Sequence, residues 1–181
     1  MALVYLSLGS NKGDRVGFIQ QANSLLNGFE TINVVQSSSL YETEPWGVES
    51  ENWFVNAVVQ IRTSLSPKLL LAQCQKIEKI LGRNREIEGK YGDRTIDIDI
   101  LFYDNLIMNE HELTIPHSHI HERAFTLVPM LELAPDMVHP VFKISMTDLY
   151  EELENPEMVV LYGTRGVNIW DENTLDESSL E

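Results

Sequence analysis

Apolar and polar positions alternate most regularly from Thr95 to Phe102: Ile96, Ile98, Ile100 and Phe102 fall on one side, Asp97 and Asp99 on the other. A period of two carried by β-branched residues predicts a half-buried strand with its apolar side against a core. The apolar run over residues 2–8 predicts a first strand; no basic segment precedes it, so it does not read as a signal peptide. Val16, Ile19, Ala22 and Leu26 then recur at helical spacing, with Asp14 placed to cap the helix and Gly28 to end it as a C′ residue. Residues 32–40 read as a second strand, 41–48 as a loop, and 53–61 as a third strand. Ser66-Pro67 opens a helix whose face is Leu70, Leu71, Cys74, Ile77 and Leu81, closed by Gly82.

Past Phe102, Asp104-Asn105 reads as a turn and 106–113 as short strand-like pieces. A helix over 125–134 is stopped by Pro135, 138–142 is expected to be extended, 145–153 to be a short helix, and 159–162 to add a strand. From about Thr164 the chain turns acidic, with Asp171, Glu172, Asp176, Glu177 and Glu181, and reads as a flexible tail. The pattern predicts one α+β domain over 1–163, with helices on one side of a mixed or antiparallel sheet, and a separate tail over 164–181.

Composition narrows the function. At 181 residues, 43% apolar and 23% charged, the chain is an ordinary soluble globular domain. Its net charge of −15 argues against nucleic acid and against anionic membranes as partners. In so acidic a chain, the arginines Arg83, Arg85, Arg94 and Arg123 look placed rather than solubilising. A single cysteine, Cys74, allows no intramolecular disulfide and fits a cytoplasmic setting.

Asp97 and Asp99 would lie roughly 7 Å apart along one strand face at about 3.3 Å rise per residue. Such a pair suits a hard cation such as Mg²⁺ carrying phosphates; the plain alternative is a solvated strand face. Glu78 stands near a helix C-terminus, where an acid needs a neighbouring cation. Asn56, on an apolar strand, must find hydrogen-bond partners in a ligand edge or a neighbouring backbone, or cost roughly 1–3 kcal/mol. Trp46 is either a lid on the core or a contact for a flat ligand. Gly9 to Asp14 lacks phosphate-loop spacing and reads as a strand-to-helix turn. His117, His119 and His121 do not share a helical face, so one histidine beside a phosphate, His117, is preferred to a metal cluster.

These residues carry a resemblance. Leu8-Gly9-Ser10-Asn11, Tyr41-Glu42-Thr43 with Pro45 and Gly47, Phe54-Val55-Asn56-Ala57, Ile77-Glu78 with Gly82-Arg83 and Arg85, Arg94-Thr95-Ile96-Asp97-Ile98-Asp99-Ile100-Leu101, Pro116-His117 and Arg123-Ala124-Phe125 resemble the 6-hydroxymethyl-7,8-dihydropterin pyrophosphokinase family of folate biosynthesis over residues 4–140. The resemblance implies a ferredoxin-like α+β sandwich, mostly antiparallel, and transfer of the β,γ-diphosphate of ATP to the pterin hydroxymethyl group. It implies two Mg²⁺ ions on Asp97 and Asp99, with Arg83 and Arg94 joining them as catalytic residues. ATP contacts would come from Gln75, Glu78, Arg83, Arg85, Arg94, Ile100, His117 and Arg123. Pterin contacts would come from Thr43, Pro45, Trp46, Phe54, Asn56, Asp97 and Phe125, and Asp97 is also the candidate proton acceptor. A monomer is expected, with association with other folate-pathway enzymes as an extension. The family usually carries Trp-Gly-Pro before Arg-Thr; Tyr91-Gly92-Asp93 here implies a looser loop. From other classes, a silent pterin- or nucleotide-binding module and a Mg²⁺-dependent phosphohydrolase remain as alternatives.

Overall fold

The computed structural model describes residues 1–47, 50–85 and 92–163, so the tail over 164–181 lies outside the described residues. Two β-α-β units interleave. Strand β1 (Ala2–Ser10) leads into α1 (Arg15–Asn27), then β2 (Ile32–Ser37) and β3 (Tyr41–Thr43); β4 (Phe54–Thr63) leads into α2 (Pro67–Ile80) and then β5 (Asp97–Tyr103). The sheet order is β5-β1-β4-β3-β8, with β8 (Val159–Leu161) at the edge and β2 pairing the far half of β4. Every pairing is antiparallel. With a helix after β1 and another after β4, this is the ferredoxin-like arrangement. A small hairpin of β6 (Met108–Asn109) and β7 (Thr114–Ile115) follows, then α3 (Ala124–Leu133) and α4 (Met146–Glu151).

The helices cover both faces, not one. Ile19, Ala22 and Leu26 of α1 and Leu70, Cys74 and Ile77 of α2 pack on Leu6, Leu8, Ala57, Val59, Ile98 and Ile100. On the opposite face, Leu127 and Met130 of α3 and Met146 and Leu149 of α4 pack on Tyr5, Val58, Leu101 and Phe102. Local periodicity does not say which face a helix covers; that is set when the chain crosses the sheet.

The central strand also departs from strict alternation. Tyr5 pairs with Phe102 but Leu6 pairs with Ile100, so Leu101 is an extra, bulged residue. The bulge turns Phe102 away from the isoleucines and onto the second face, edge-on to Tyr5 with ring centroids 6.3 Å apart.

Other expectations are corrected locally. Residues 41–43 are strand rather than loop, because Tyr41, Glu42 and Thr43 pair with Asn56, Val55 and Phe54. Gly28 caps α1 with φ −77°, a conformation open to any residue. Asp14 caps its other end as expected, accepting from the Gly17 backbone N–H. Residues 138–142 are not extended: a Val138–Ser145 bridge closes a turn in which His139 Nδ1 accepts from the backbone N–H of Val141 and Phe142. No helix among the described residues is long and apolar enough to cross a membrane.

Candidate active site

The second face of the sheet is apolar at one end only. At the other end, which only the first turn of α3 reaches, register brings small and polar residues together: Gly9 lies opposite Asn56 on one side and Asp97 on the other, and Ser7 lies opposite Asp99. They floor a cavity of about 460 Å³. The alternation of Leu6 and Leu8 with Ser7 and Gly9 is the signal for this floor, and it is readable in the sequence.

One wall is cationic. At the end of α2, Gly82 turns the chain with φ +87°, which favours glycine, and sends Arg83 back along the helix. Glu78, only 2% exposed, receives it: Oε1 accepts from Arg83 Nη1 at 2.8 Å and from the Ile98 backbone N–H at 2.8 Å. Its Oε2 accepts from Arg85 Nη2 at 2.7 Å and Nε at 3.0 Å. The acid at the helix C-terminus therefore has its cations, and it aims two arginines at the cavity. Burial and Asp97 raise its pKa, against the pull of Arg83 and Arg85.

The two aspartates have different surroundings. Asp97 Oδ1 is hydrogen-bonded by Arg83, and Arg94 Nε lies 3.3 Å from Oδ2. Burial alone would raise the Asp97 pKa, but Arg83, Arg94 and Arg85 together hold it below the ordinary carboxylate range. Asp99 keeps 38% of its side chain open; His117 Nε2 lies 3.9 Å and the Arg123 Nη1 cation 4.0 Å from it, both beyond hydrogen-bond distance. Burial and Asp97 push its pKa up to about 7, with Arg123 pulling the other way. The charge of Asp97 is thus matched by the protein's arginines, while the charged form of Asp99 is left without a close counter-ion. A part-open carboxylate beside a second one, both lining a cavity, could hold a hard, oxygen-preferring cation.

The other wall is aromatic. Trp46 and Phe125 flank Arg123, whose guanidinium carbon lies 4.7 Å and 5.4 Å from the two ring centroids. Arg94 stands 5.2 Å over Phe54. Asn56 donates from Nδ2 to Thr43 Oγ1 at 2.6 Å, so its partner is a side-chain hydroxyl rather than backbone. Gly9 matters here: a Cβ at that position would lie 2.6 Å from Asn56 Oδ1.

Of the residues singled out in the sequence, Thr43, Trp46, Phe54, Asn56 and Phe125 line the cavity with Asp97 and Asp99, as do Arg83, Arg85, Arg94, His117 and Arg123. Four do not line it. Gln75 is exposed on α2, Glu78 sits behind the arginines, Ile100 is in the core, and Pro45 adjoins the wall. Glu44, Gly47, Ser118 and His119 line it without having been singled out for the site. His119 is paired with Glu122 at 2.8 Å, and no group of three metal-ligating side chains occurs among the described residues.

Asp93, expected to loosen its loop, is instead held. It accepts from Asn11 Nδ2 and Ser50 Oγ, each at 2.7 Å, and from Asn52 Nδ2.

Comparison with known proteins agrees with this geometry. Residues 5–135 match the family model of 7,8-dihydro-6-hydroxymethylpterin-pyrophosphokinase. The chain is 45% identical over 138 residues to the 2-amino-4-hydroxy-6-hydroxymethyldihydropteridine pyrophosphokinase of Methylorubrum extorquens, covering 76% of this chain and 86% of that one. It is 40% identical over 169 residues to the folic acid synthesis protein fol1 of Pneumocystis carinii, covering 91% of this chain but only 22% of that longer protein. The fold is shared with the crystal structure of wild-type Plasmodium falciparum HPPK-DHPS with pteroate, at a TM-score of 0.68 and 15% identity over 83% of this chain and 44% of that one. With 131 of its residues under the family model and its cavity built from the motifs quoted above, the chain belongs to the 7,8-dihydro-6-hydroxymethylpterin-pyrophosphokinase family.

Proposed function

We propose that this chain transfers the β,γ-diphosphate of ATP to the hydroxymethyl group of 6-hydroxymethyl-7,8-dihydropterin, releasing AMP and the pterin diphosphate, in folate biosynthesis. The observation that carries this reading is the division of one cavity into a carboxylate and arginine half and an aromatic half. Phe54, Phe125 and Trp46 offer ring faces to a flat heterocycle, and Asn56 with Thr43 offers hydrogen bonds to its edge. Arg83, Arg94, Arg123 and His117 supply positive charge to a polyphosphate. Asp97 and Asp99 are the residues that would hold Mg²⁺, as two ions. Bound there, the metal neutralises phosphate charge at the reacting end.

Transfer of this kind asks little covalent chemistry of the protein, so positioning and charge carry most of the rate. Arg83 is fixed by Glu78 before substrate arrives, which lowers the cost of orienting it. Asp97, held below the usual carboxylate range, is a weak proton acceptor, so its part is to bind and orient. We read the enzyme as a cytoplasmic monomer, a setting that the buried free thiol of Cys74 fits. Relatives of which this chain spans only a part support association with other folate-pathway enzymes.

The test is AMP formation from ATP and Mg²⁺ with and without the pterin. Pterin-dependent AMP is expected. Orthophosphate or ADP formed regardless of pterin would make the protein a phosphohydrolase, and pterin binding without turnover would make it a silent binding module.

A further inference from the structure

Asp93 lies outside the cavity lining, yet it joins two of the segments that border the cavity. Three donors converge on its carboxylate from two separate segments: Asn11 from the turn after β1, Ser50 and Asn52 from the chain that links Trp46 and Gly47 to Phe54. A carboxylate has room for about four such bonds, so three leave it close to saturated. These bonds hold its pKa below the ordinary range, the one from Ser50 foremost. Ser50 Oγ also accepts from the Asn52 backbone N–H at 3.0 Å, which fixes the two donors relative to each other.

Asn11 passes the connection on to Arg94. Its Oδ1 accepts from the Arg94 backbone N–H at 2.8 Å, and its own N–H donates to the Arg94 carbonyl at 3.2 Å. Arg94 is therefore bracketed by Asn11 on its backbone and by Asp97 on its guanidinium, above the Phe54 ring. The chain separations are 82 residues for Asn11 and 43 for Ser50, so no local propensity creates this junction. It exists because one acid meets three donors.

We infer that Asp93 is a positioning residue. It ties the segment that leads into Phe54 to the turn after β1 and to Arg94, and so sets how the Phe54 side of the pterin wall stands relative to the phosphate-binding cation. The inference rests on the diphosphate-transfer reading of the same cavity. Losing the tie leaves every cavity residue in place chemically but lets the wall drift, and a displacement near 1 Å is enough to cost rate and affinity.

The test is steady-state kinetics of pterin-dependent AMP formation, with the thermal midpoint, for Asp93→Ala, Asp93→Asn and the pair Ser50→Ala/Asn52→Ala. Asp93→Ala is expected to lower kcat/KM for pterin roughly tenfold, mostly through KM, with KM for ATP changed less than about twofold. The Ser50→Ala/Asn52→Ala pair should reproduce most of that loss, and adding Asp93→Ala to it should have little further effect, because both changes cut one connection. Asp93→Asn keeps one accepting oxygen and should recover part of the loss. Asp93→Ala within about twofold of wild type for pterin, or equal losses for ATP and pterin that follow a falling thermal midpoint, would overturn the inference. Should Asp93→Ala not fold, the Ser50→Ala/Asn52→Ala pair decides it alone. A wild-type protein without pterin-dependent AMP would count against the transfer reading instead; pterin binding, followed by ligand fluorescence on the same variants, would then decide the role of Asp93.

Discussion

Beneath α1 and α2, strands β1, β4 and β5 present Leu6, Leu8, Ala57, Val59, Ile98 and Ile100, all nearly sealed from solvent. The alternate residues of the same strands, toward one end, are Ser7, Gly9, Asn56, Asp97 and Asp99, open to a cavity. The first face gains from burial at roughly 25 cal/mol per Å² of apolar area. The second gathers like charges and small residues, an arrangement that stabilises nothing by itself. One period-two pattern thus supplies a core and a site at once. Residues that look alike in spacing are under opposite constraints: volume on one face, charge on the other.

Two substitutions should separate those constraints most sharply. Asp99→Asn keeps the shape of the site and removes the carboxylate least matched by protein cations. Turnover should fall by about 10³-fold, with far-ultraviolet circular dichroism unchanged. Near-normal turnover with Mg²⁺ present would mean that the polar face is not chemical. One residue away, Ile98→Ala should do the reverse. The side chain is 1% exposed in the main core, so the change should cost about 3 kcal/mol of stability, read from denaturant unfolding. Turnover per folded molecule should stay within about twofold, since Ile98 points away from the cavity.

Gly9→Ala tests the seam between the faces with a smaller effect. The new Cβ would lie 2.6 Å from Asn56 Oδ1 and 3.8 Å from a Phe54 ring carbon, so the amide must move. KM for pterin should rise roughly fivefold while KM for ATP holds, because the crowding falls on the aromatic half. Equal changes in both would place Asn56 outside pterin recognition.

Much of this was legible in the chain, and the parts that were not share a cause. Ile96, Ile98 and Ile100 announced the strand by period alone, and Glu78 announced its arginines by being an acid where the helix dipole disfavours one. Period alone puts Phe102 on the wrong face, because the Leu101 bulge is a property of pairing with Tyr5 and Leu6, nearly a hundred residues away. Tyr41 to Thr43 reads as loop until β4 lies alongside it. The two-sided placement of helices was hidden because α3 is apolar on most of its surface, with Ala124, Thr126, Leu127, Pro129 and Met130 all buried. Asp93 looks free for the same reason: its neighbours in sequence offer it nothing, and its three donors come from 41 to 82 residues away. Local pattern gave elements and chemistry; register and long-range hydrogen bonds decided faces and joints.

The smallest effect is on stability, and its sign runs against intuition. In the metal-free protein the Asp99 pKa is pushed up to about 7 from 3.8, so folding disfavours the charged form. A raised acid contributes stability that is fully present below the unfolded value and lost as pH rises through the folded one. Metal-free wild type should therefore lose stability between about pH 4 and pH 7 relative to Asp99→Asn, which has no charge to confine. Asp97, held low by its arginines, adds a slope of opposite sign near the bottom of that window, but it does so in both proteins and drops out of the comparison. Because Asp99 is 38% exposed, solvent screening limits the difference at pH 8 to about 1 kcal/mol, a few degrees in thermal midpoint. Asp99→Asn should thus be the slightly more stable protein at pH 8, match wild type near pH 4, and lose that advantage when Mg²⁺ is added, since only wild type gains from the ion. A midpoint for Asp99→Asn that falls below metal-free wild type at pH 8 would mean that the carboxylate is already compensated within the fold, and the two faces would differ less than the geometry implies.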